Sequence, residues 1–213
     1  MSLGARFVTF EGIDGSGKSS QARLLAAALR EAGREVCLTR EPGGSPGAEE
    51  IRRLLVEGAG DRWSAETEVL LFTAARRDHL ERTIRPALAR GAVVICDRFA
   101  DSTRVYQGVA GAGLRALVDE LHARFIGIEP DLTLILDMDP ASALARSAAR
   151  QAGGPREVRF ESLGSDHHVR LRAGFRALAA EFPARCRLID ATRPEVEVAA
   201  EVARLFALAE AGA

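Results

Sequence analysis

The chain has 213 residues, 47% of them hydrophobic, enough for one compact domain with a sizeable core. Its 29 basic and 30 acidic side chains leave a formal charge of -1. That balance excludes a global pull toward nucleic acid or an anionic membrane, so any polyanion must be met by a local basic cluster.

Taken in chain order, the apolar run Arg6–Glu11 predicts a first strand. No leader segment is expected before it, and the apolar runs all fall short of the ~20 residues a bilayer span needs. Directly after it stands Gly12-Ile13-Asp14-Gly15-Ser16-Gly17-Lys18-Ser19, which matches GxxxxGK[ST] between a strand and a helix. The glycines let successive backbone N–H groups point at phosphate oxygens, and the helix predicted over Ser19–Ala32 adds its positive end. Lys18 is placed to reach the β- and γ-phosphates of ATP as a point charge, and the Ser19 hydroxyl to ligate Mg²⁺. Such loops serve switch GTPases, motor ATPases and small-molecule kinases alike, so other segments must choose among them.

A second strand, Glu35–Thr39, runs into Arg40-Glu41-Pro42-Gly43-Gly44. Helices are predicted over Ala48–Glu57 and Ala65–Ala89, the latter containing Phe72-Thr73-Ala74-Ala75-Arg76. The third strand, Ala92–Cys96, ends in Asp97-Arg98-Phe99, with Asp101-Ser102-Thr103 and Tyr106-Gln107-Gly108 beyond it. A charged pair at the carboxyl end of a strand lies where open α/β sheets bind ligands. Helix Arg115–Phe125, strand Leu132–Asp137 within the segment Pro130–Asp137, helices Pro140–Arg150 and Glu161–Glu181, strand Arg187–Asp190 and helix Glu195–Ala209 complete the pattern. Gly33 and Gly91 follow helical runs, where left-handed C-caps are expected. Strands without clean alternation suit burial on both faces, so an α/β fold is predicted, with a five-stranded, mainly parallel sheet flanked by helices on both faces. Cys37, Cys96 and Cys186 form no CxxC pair and read as small apolar packing residues in a reducing compartment. The one composition break is Gln151–Arg159, where Gly153, Gly154 and Pro155 stand among arginines.

In this combination and order the segments resemble the bacterial thymidylate kinases, from about Phe7 to the C-terminal helix. Arg40–Gly44 and Asp97–Gly108 are the most specific parts. The resemblance implies a single P-loop nucleoside monophosphate kinase-like domain over residues 1–213 and transfer of the γ-phosphate of ATP to dTMP with Mg²⁺. It implies that Phe72 stacks on the thymine, that Arg76 donates to a thymine carbonyl, and that Ser102, Thr103 and Gln107 complete the substrate contacts. Arg98 would clamp the dTMP phosphate with its planar fork, and Arg52 would be the second arginine there. Arg40 and Glu41 would shape their loop, and Tyr106 would sit against the sugar at C2′. Asp14 would accept from the 3′-hydroxyl or reach the metal, while Asp97 would organise Mg²⁺ and its water. Judged on residue chemistry alone, Phe72 reads as a core phenylalanine and Arg76 as a solvated arginine beside Arg77, whereas Asp97-Arg98 reads as a ligand-binding pair at a strand end rather than a surface ion pair.

Positions 13–16 of the phosphate loop hold no arginine, whereas Arg146, Arg150, Arg156 and Arg159 surround Gly153–Pro155. This is similar to the lid-type members of the family, with a lid at about residues 146–162. A mobile arginine there would stabilise the transition state by ~10³–10⁵ in rate, and Arg159, in its Arg-Phe-Glu161 setting, is expected to carry that role. Val158 and His167 depart from the pattern, which usually has an acidic and an aromatic residue there. Asp190-Ala191-Thr192 falls where the adenine loop is implied. A cytoplasmic homodimer packed through Glu66–Ala75 is also implied, with dTMP and ATP as partners and neither nucleic acid nor membrane. The alternatives are a P-loop kinase of another nucleotide or deoxynucleoside, and a GTPase switch, whose NKxD-type guanine motif is not found. His167-His168 could suggest a metal, but neighbours on a helix diverge by about 100°, which favours packing.

Overall fold

Period-two alternation sorts the side chains of the central strands between two cores. In β1 (Phe7–Glu11), Val8 and Phe10 enter one apolar cluster while Phe7 enters the other. β3 (Val93–Asp97) divides likewise, with Val93 and Ile95 on the first side and Val94 and Cys96 on the second. A sheet apolar on both faces needs a layer of helices on each.

The computed structural model, which describes residues 6–58, 62–109, 113–151 and 165–212, has that layering. β2 (Val36–Arg40), β4 (Leu132–Asp137) and β5 (Cys186–Asp190) join the two central strands in the order β2-β3-β1-β4-β5. All four pairings are parallel. On the first face, α1 (Lys18–Glu31), α8 (Ser165–Glu181) and α9 (Glu195–Ala211) contribute Leu25, Phe175 and Phe206 to the core. On the second, α3 (Ala65–His79) continues through a π-helical turn, Leu80–Ile84, into α4 (Arg85–Ala89), burying Leu80, Ile84 and Ala87 against Phe99. Pro86 has no N–H to give to the preceding turn, and the helix widens just before it. α2 (Pro46–Val56) packs on α3.

Each predicted strand is present with its ends within one residue of expectation, and the sheet is wholly parallel. The stretch after β3 differs from the sequence reading. It forms a short helix, α5 (Ala100–Thr103), and a π-helical turn, Arg104–Val109. Asp101 pins it there. Buried almost completely, this carboxylate accepts from Arg104 Nη1 at 2.8 Å and from Arg185 Nη1 and Nη2 at 2.5 and 2.9 Å. α6 (Arg115–Leu121), a further π-helical turn (His122–Ile126) and α7 (Pro140–Gln151) complete the described elements. The start of the predicted helix at residues 161–164 lies outside the described residues.

Parallel strands put all their carboxyl ends on one edge. Each ends in a charged residue: Glu11, Arg40, Asp97, Asp137 and Asp190. The phosphate loop crosses this edge so closely that a Cβ on Gly12 would sit 2.6 Å from the Leu136 carbonyl oxygen. Gly15 has φ 87°, and a Cβ there would fall inside the backbone carbonyl of Ala143 in α7. Gly15→Ala should therefore cost about 1–3 kcal/mol of stability from the backbone strain alone. It should also abolish most of the thermal stabilisation that ATP confers. A melting curve that ATP shifts as much as in the parent would show that the loop tolerates the side chain.

Candidate active site

Gly12, Gly15 and Gly17 hold φ of 131°, 87° and 97°, conformations that L side chains avoid. Gly17 caps α1 without any side-chain acceptor, so the first N–H groups of that helix remain for a ligand. Lys18 lies buried beneath the loop, donating to the Ile13 carbonyl at 2.8 Å and standing 3.8 Å from Asp14. Burial, and then repulsion from Arg98, lower its ammonium to about 8. A polyphosphate would supply the counter-charge this ammonium is short of.

Across the loop stands Arg98. It is the one non-glycine among the described residues with a left-handed backbone, φ 71°. Such strain persists only where surrounding contacts enforce it, and it concentrates at functional sites. Nη1 donates to the Gly12 carbonyl (3.1 Å) and Ser102 Oγ (2.9 Å). Nη2 donates to Asp14 Oδ1 (2.5 Å) and Tyr106 Oη (3.2 Å). Burial alone would raise the Asp14 carboxyl, but Arg98 and then Lys18 outweigh it and hold Asp14 well below the usual carboxylate range. Behind the arginine, Glu11 accepts from the Phe99 N–H at 2.7 Å and from Ser102 Oγ at 2.6 Å. It thereby fixes the residue after Arg98 and one of the hydroxyls that receives it.

Asp97 bears on the metal. Its Oδ2 accepts from Ser19 Oγ, and its Oδ1 is buried with no hydrogen-bond partner among the described residues. No group of three His, Cys, Asp or Glu side chains among those residues could hold an ion alone. A lone carboxylate with a spare oxygen, beside a hydroxyl and a phosphate cradle, fits Mg²⁺, which keeps waters and takes few protein ligands.

The predicted acceptor residues gather on the second face. Phe72 is half-buried and belongs to neither apolar cluster, which argues against a core role. Arg76 is buried rather than solvated. Its Nε donates to Glu41 Oε2 at 2.7 Å, its Nη2 donates to Thr103 Oγ1 at 3.0 Å and the Phe99 carbonyl at 3.2 Å, and it lies over the Phe99 ring. Gln107 Nε2 reaches Glu68 Oε2 at 3.4 Å. Arg52 donates to the Pro42 carbonyl at 2.7 Å, and Arg40 pairs with Glu49, which also caps the Gly44 N–H. These bonds tie the Arg40–Gly44 loop to α2.

The comparisons with known proteins agree with this geometry. A family model described as thymidylate kinase matches residues 10–202. The chain belongs to the thymidylate kinase family. It is 66% identical to a thymidylate kinase of Ruegeria pomeroyi, with 93% of each chain covered. It is 58% identical to one of Caulobacter vibrioides, covering 87% of this chain and 88% of the relative. The crystal structure of thymidylate kinase from Ehrlichia chaffeensis superposes with a TM-score of 0.75 at 37% identity, covering 95% of this chain and 98% of that one. As in other thymidylate kinases, ATP is the co-substrate, and no helix among the described residues is long and apolar enough to cross a membrane.

Of the four arginines expected in a lid, Arg146 donates to the Ala191 carbonyl at 3.1 Å, which ties α7 to the loop after β5. Arg156 and Arg159, and the side chain of Arg150, lie outside the described residues. In the loop after β5, Asp190 Oδ1 accepts from the Thr192 N–H and hydroxyl. His167 and His168 meet edge to face with ring centroids 6.3 Å apart. Sequence reasoning missed Glu11, whose only signal was an acidic residue closing an otherwise apolar strand.

Burial, with the Asp101 carboxylate adding to it, pushes Glu11 up to about 7 against the opposing pull of Arg98. Unfolded, this carboxyl titrates near 4.5. The folded protein therefore keeps a proton that the unfolded chain has lost between those two values. The stabilisation from Glu11 is full below about 4.5 and is lost as pH rises through about 7. Glu11→Gln should remove this dependence, and the parent should lose on the order of 2–3 kcal/mol relative to the variant between pH of about 5 and about 8. Denaturant unfolding at each pH measures it, and parallel profiles would refute the raised value.

Proposed function

We propose that this thymidylate kinase transfers the γ-phosphate of ATP to the phosphate of dTMP in the cleft between the phosphate loop and the Arg98 strand end, giving dTDP and ADP. The observation that carries this placement is the 2.5 Å bond between Asp14, in the donor's loop, and Arg98, on the acceptor's strand. The two sites share a wall, so two phosphates bound on either side of it meet with little room for water.

A dTMP phosphate oxygen attacks the γ-phosphorus in line. The new P–O bond forms as the bond to the β,γ-bridging oxygen breaks, and ADP leaves. Lys18 and the loop N–H groups hold the donor phosphates where charge builds up. Arg98 exchanges Asp14 for the acceptor's oxygens at Nη2, and Arg52 meets the same phosphate. The released Asp14 carboxylate then accepts from the sugar's 3′-hydroxyl, and Tyr106 sits against C2′. Ser19 Oγ and, through water, the open Oδ1 of Asp97 would hold Mg²⁺, which when bound neutralises the β- and γ-phosphate oxygens. Phe72 offers a stacking face for thymine, with Arg76, Thr103 and Gln107 along the base and Ser102 behind the phosphate.

The phosphate loop has no arginine, so the remaining cation is assigned to the lid, with Arg159 first. A cytoplasmic homodimer is part of the same reading. It is supported by Leu70, which is more than half exposed on α3 within Glu66–Ala75.

An ADP-release assay should show turnover that requires both dTMP and Mg²⁺, with dUMP weaker and thymidine inert. ATP consumption indifferent to dTMP would sink the reading. Arg98→Ala should lower kcat/KM for dTMP by about 10²–10³ while moving the KM for ATP far less. Equal losses for both substrates would instead mean that the loop had collapsed. Arg159→Ala should lower kcat much more than dTMP affinity, and unchanged turnover would move the catalytic role to Arg156 or Arg150.

A further inference from the structure

A chain of buried polar groups runs behind Arg76 and ends on strand β2. The Arg76 and Glu41 side chains are each only 4% exposed, and that of His79 is fully buried. Arg76 Nε donates to Glu41 Oε2 at 2.7 Å. His79 Nδ1 lies 3.0 Å from the other oxygen, Glu41 Oε1, and His79 Nε2 lies 2.7 Å from Thr39 Oγ1. An ionised carboxylate only accepts, so His79 Nδ1 carries the proton that faces it. In the neutral ring Nε2 then accepts from the Thr39 hydroxyl, so the bonds from Thr39 through His79 and the bond from Arg76 converge on the Glu41 carboxylate.

The chain leaves no slack. A Cβ on Gly44, whose φ is 85°, would collide with both His79 Nε2 and Thr39 Oγ1, so the Gly44 backbone lies pressed on the imidazole. Thr83 Oγ1 donates to the Gly44 carbonyl at 2.7 Å and fixes that backbone in turn. At the other end, Glu41 takes Nε of Arg76, while Thr103 and the Phe99 carbonyl take both hydrogens of Nη2. Nη1, with two hydrogens, has no acceptor among the described residues. An arginine buried this deeply and locked on two nitrogens offers the third in one fixed direction.

We infer that His79, acting through Glu41, is a positioning residue that sets the aim of Arg76 Nη1 at the acceptor's base and so sets discrimination between bases. Arginine is a donor only, so the aimed nitrogen accepts a base carrying a carbonyl and refuses one carrying an amino group at the same carbon. The inference rests on the reading of Arg76 as the base donor. Loosening the chain widens the directions Nη1 samples without removing its charge. Discrimination and acceptor affinity therefore fall while the phosphate chemistry, at Lys18 and Arg98, is left in place.

The test compares dTMP with 5-methyl-dCMP, which differs at the carbonyl in question, in steady-state kinetics of the full chain. His79→Leu should raise KM for dTMP about tenfold and shrink the kcat/KM ratio between the two nucleotides about as much, with the KM for ATP unmoved. His79→Asn, whose amide can replace the Nδ1–H toward Glu41, should restore most of both. Glu41→Gln should resemble His79→Leu, and it carries the same expectation should the leucine variant not fold. A purely structural His79 would lower the melting temperature and kcat for both nucleotides alike, leaving the ratio at its parent value, and that result overturns the inference. Arg76→Ala separates the two layers. If it collapses the ratio while the His79 and Glu41 variants do not, the base reading stands and the positioning role is refuted. If it leaves the ratio unchanged, both fall.

Discussion

Arg98 reaches back across the sheet edge to Asp14, Ser102, Tyr106 and the Gly12 carbonyl at once, and its backbone is left-handed to do so. Nearly everything in the cleft is organised around that guanidinium. It repels Lys18 and so helps lower the lysine's charge state, it holds Asp14 ionised, and it opposes the burial that pushes Glu11 up. A buried charge is tolerated only with its partners in place, because an unpaired one costs several kcal/mol. The strained backbone is stabilised on its far side by the Glu11 bond to the next amide. The phosphate loop and the Arg98 strand end are thus one electrostatic unit rather than two separate ones.

The net charge of -1 conceals how unevenly that charge is spread. All five strands finish in charged residues on one edge, and most of these sit within a hydrogen bond of an opposite charge or a hydroxyl. Asp137, for example, takes Arg172 with both oxygens and Arg176 with one. Paired arginines are already oriented when a ligand arrives, so less side-chain freedom is lost on binding.

What could be read in the sequence was what depends on neighbouring residues. The phosphate loop is eight consecutive positions, and the strands are continuous apolar runs whose burial on both faces needs no partner to be inferred. The Ala100–Val109 helical stretch was not legible, because Asp101, Ser102 and Thr103 favour turns. It is held helical by Arg185, 84 residues away. Arg76 looked solvated for the same reason. The carboxylate that buries it is 35 residues earlier, on a loop that only the sheet brings alongside α3. His79 gave no signal, since one histidine in a long helix is compatible with surface, core or site. Arg98, in contrast, was legible from its place after an apolar strand. Arg156 and Arg159, expected in a lid, and the side chain of Arg150 fall outside the described residues.

The missing Cβ of Gly15 has a mechanical consequence. Since that glycine lies against the Ala143 carbonyl, the phosphate loop and α7 touch backbone to backbone, with no side chain between them to absorb movement. Packed interiors transmit displacement because they have little free volume to give up. α7 leads toward the arginine-rich stretch at its far end and is tied by Arg146 to the turn after β5. The loop and the first turn of the helix therefore cannot shift independently, and a displacement of either must be met by the other.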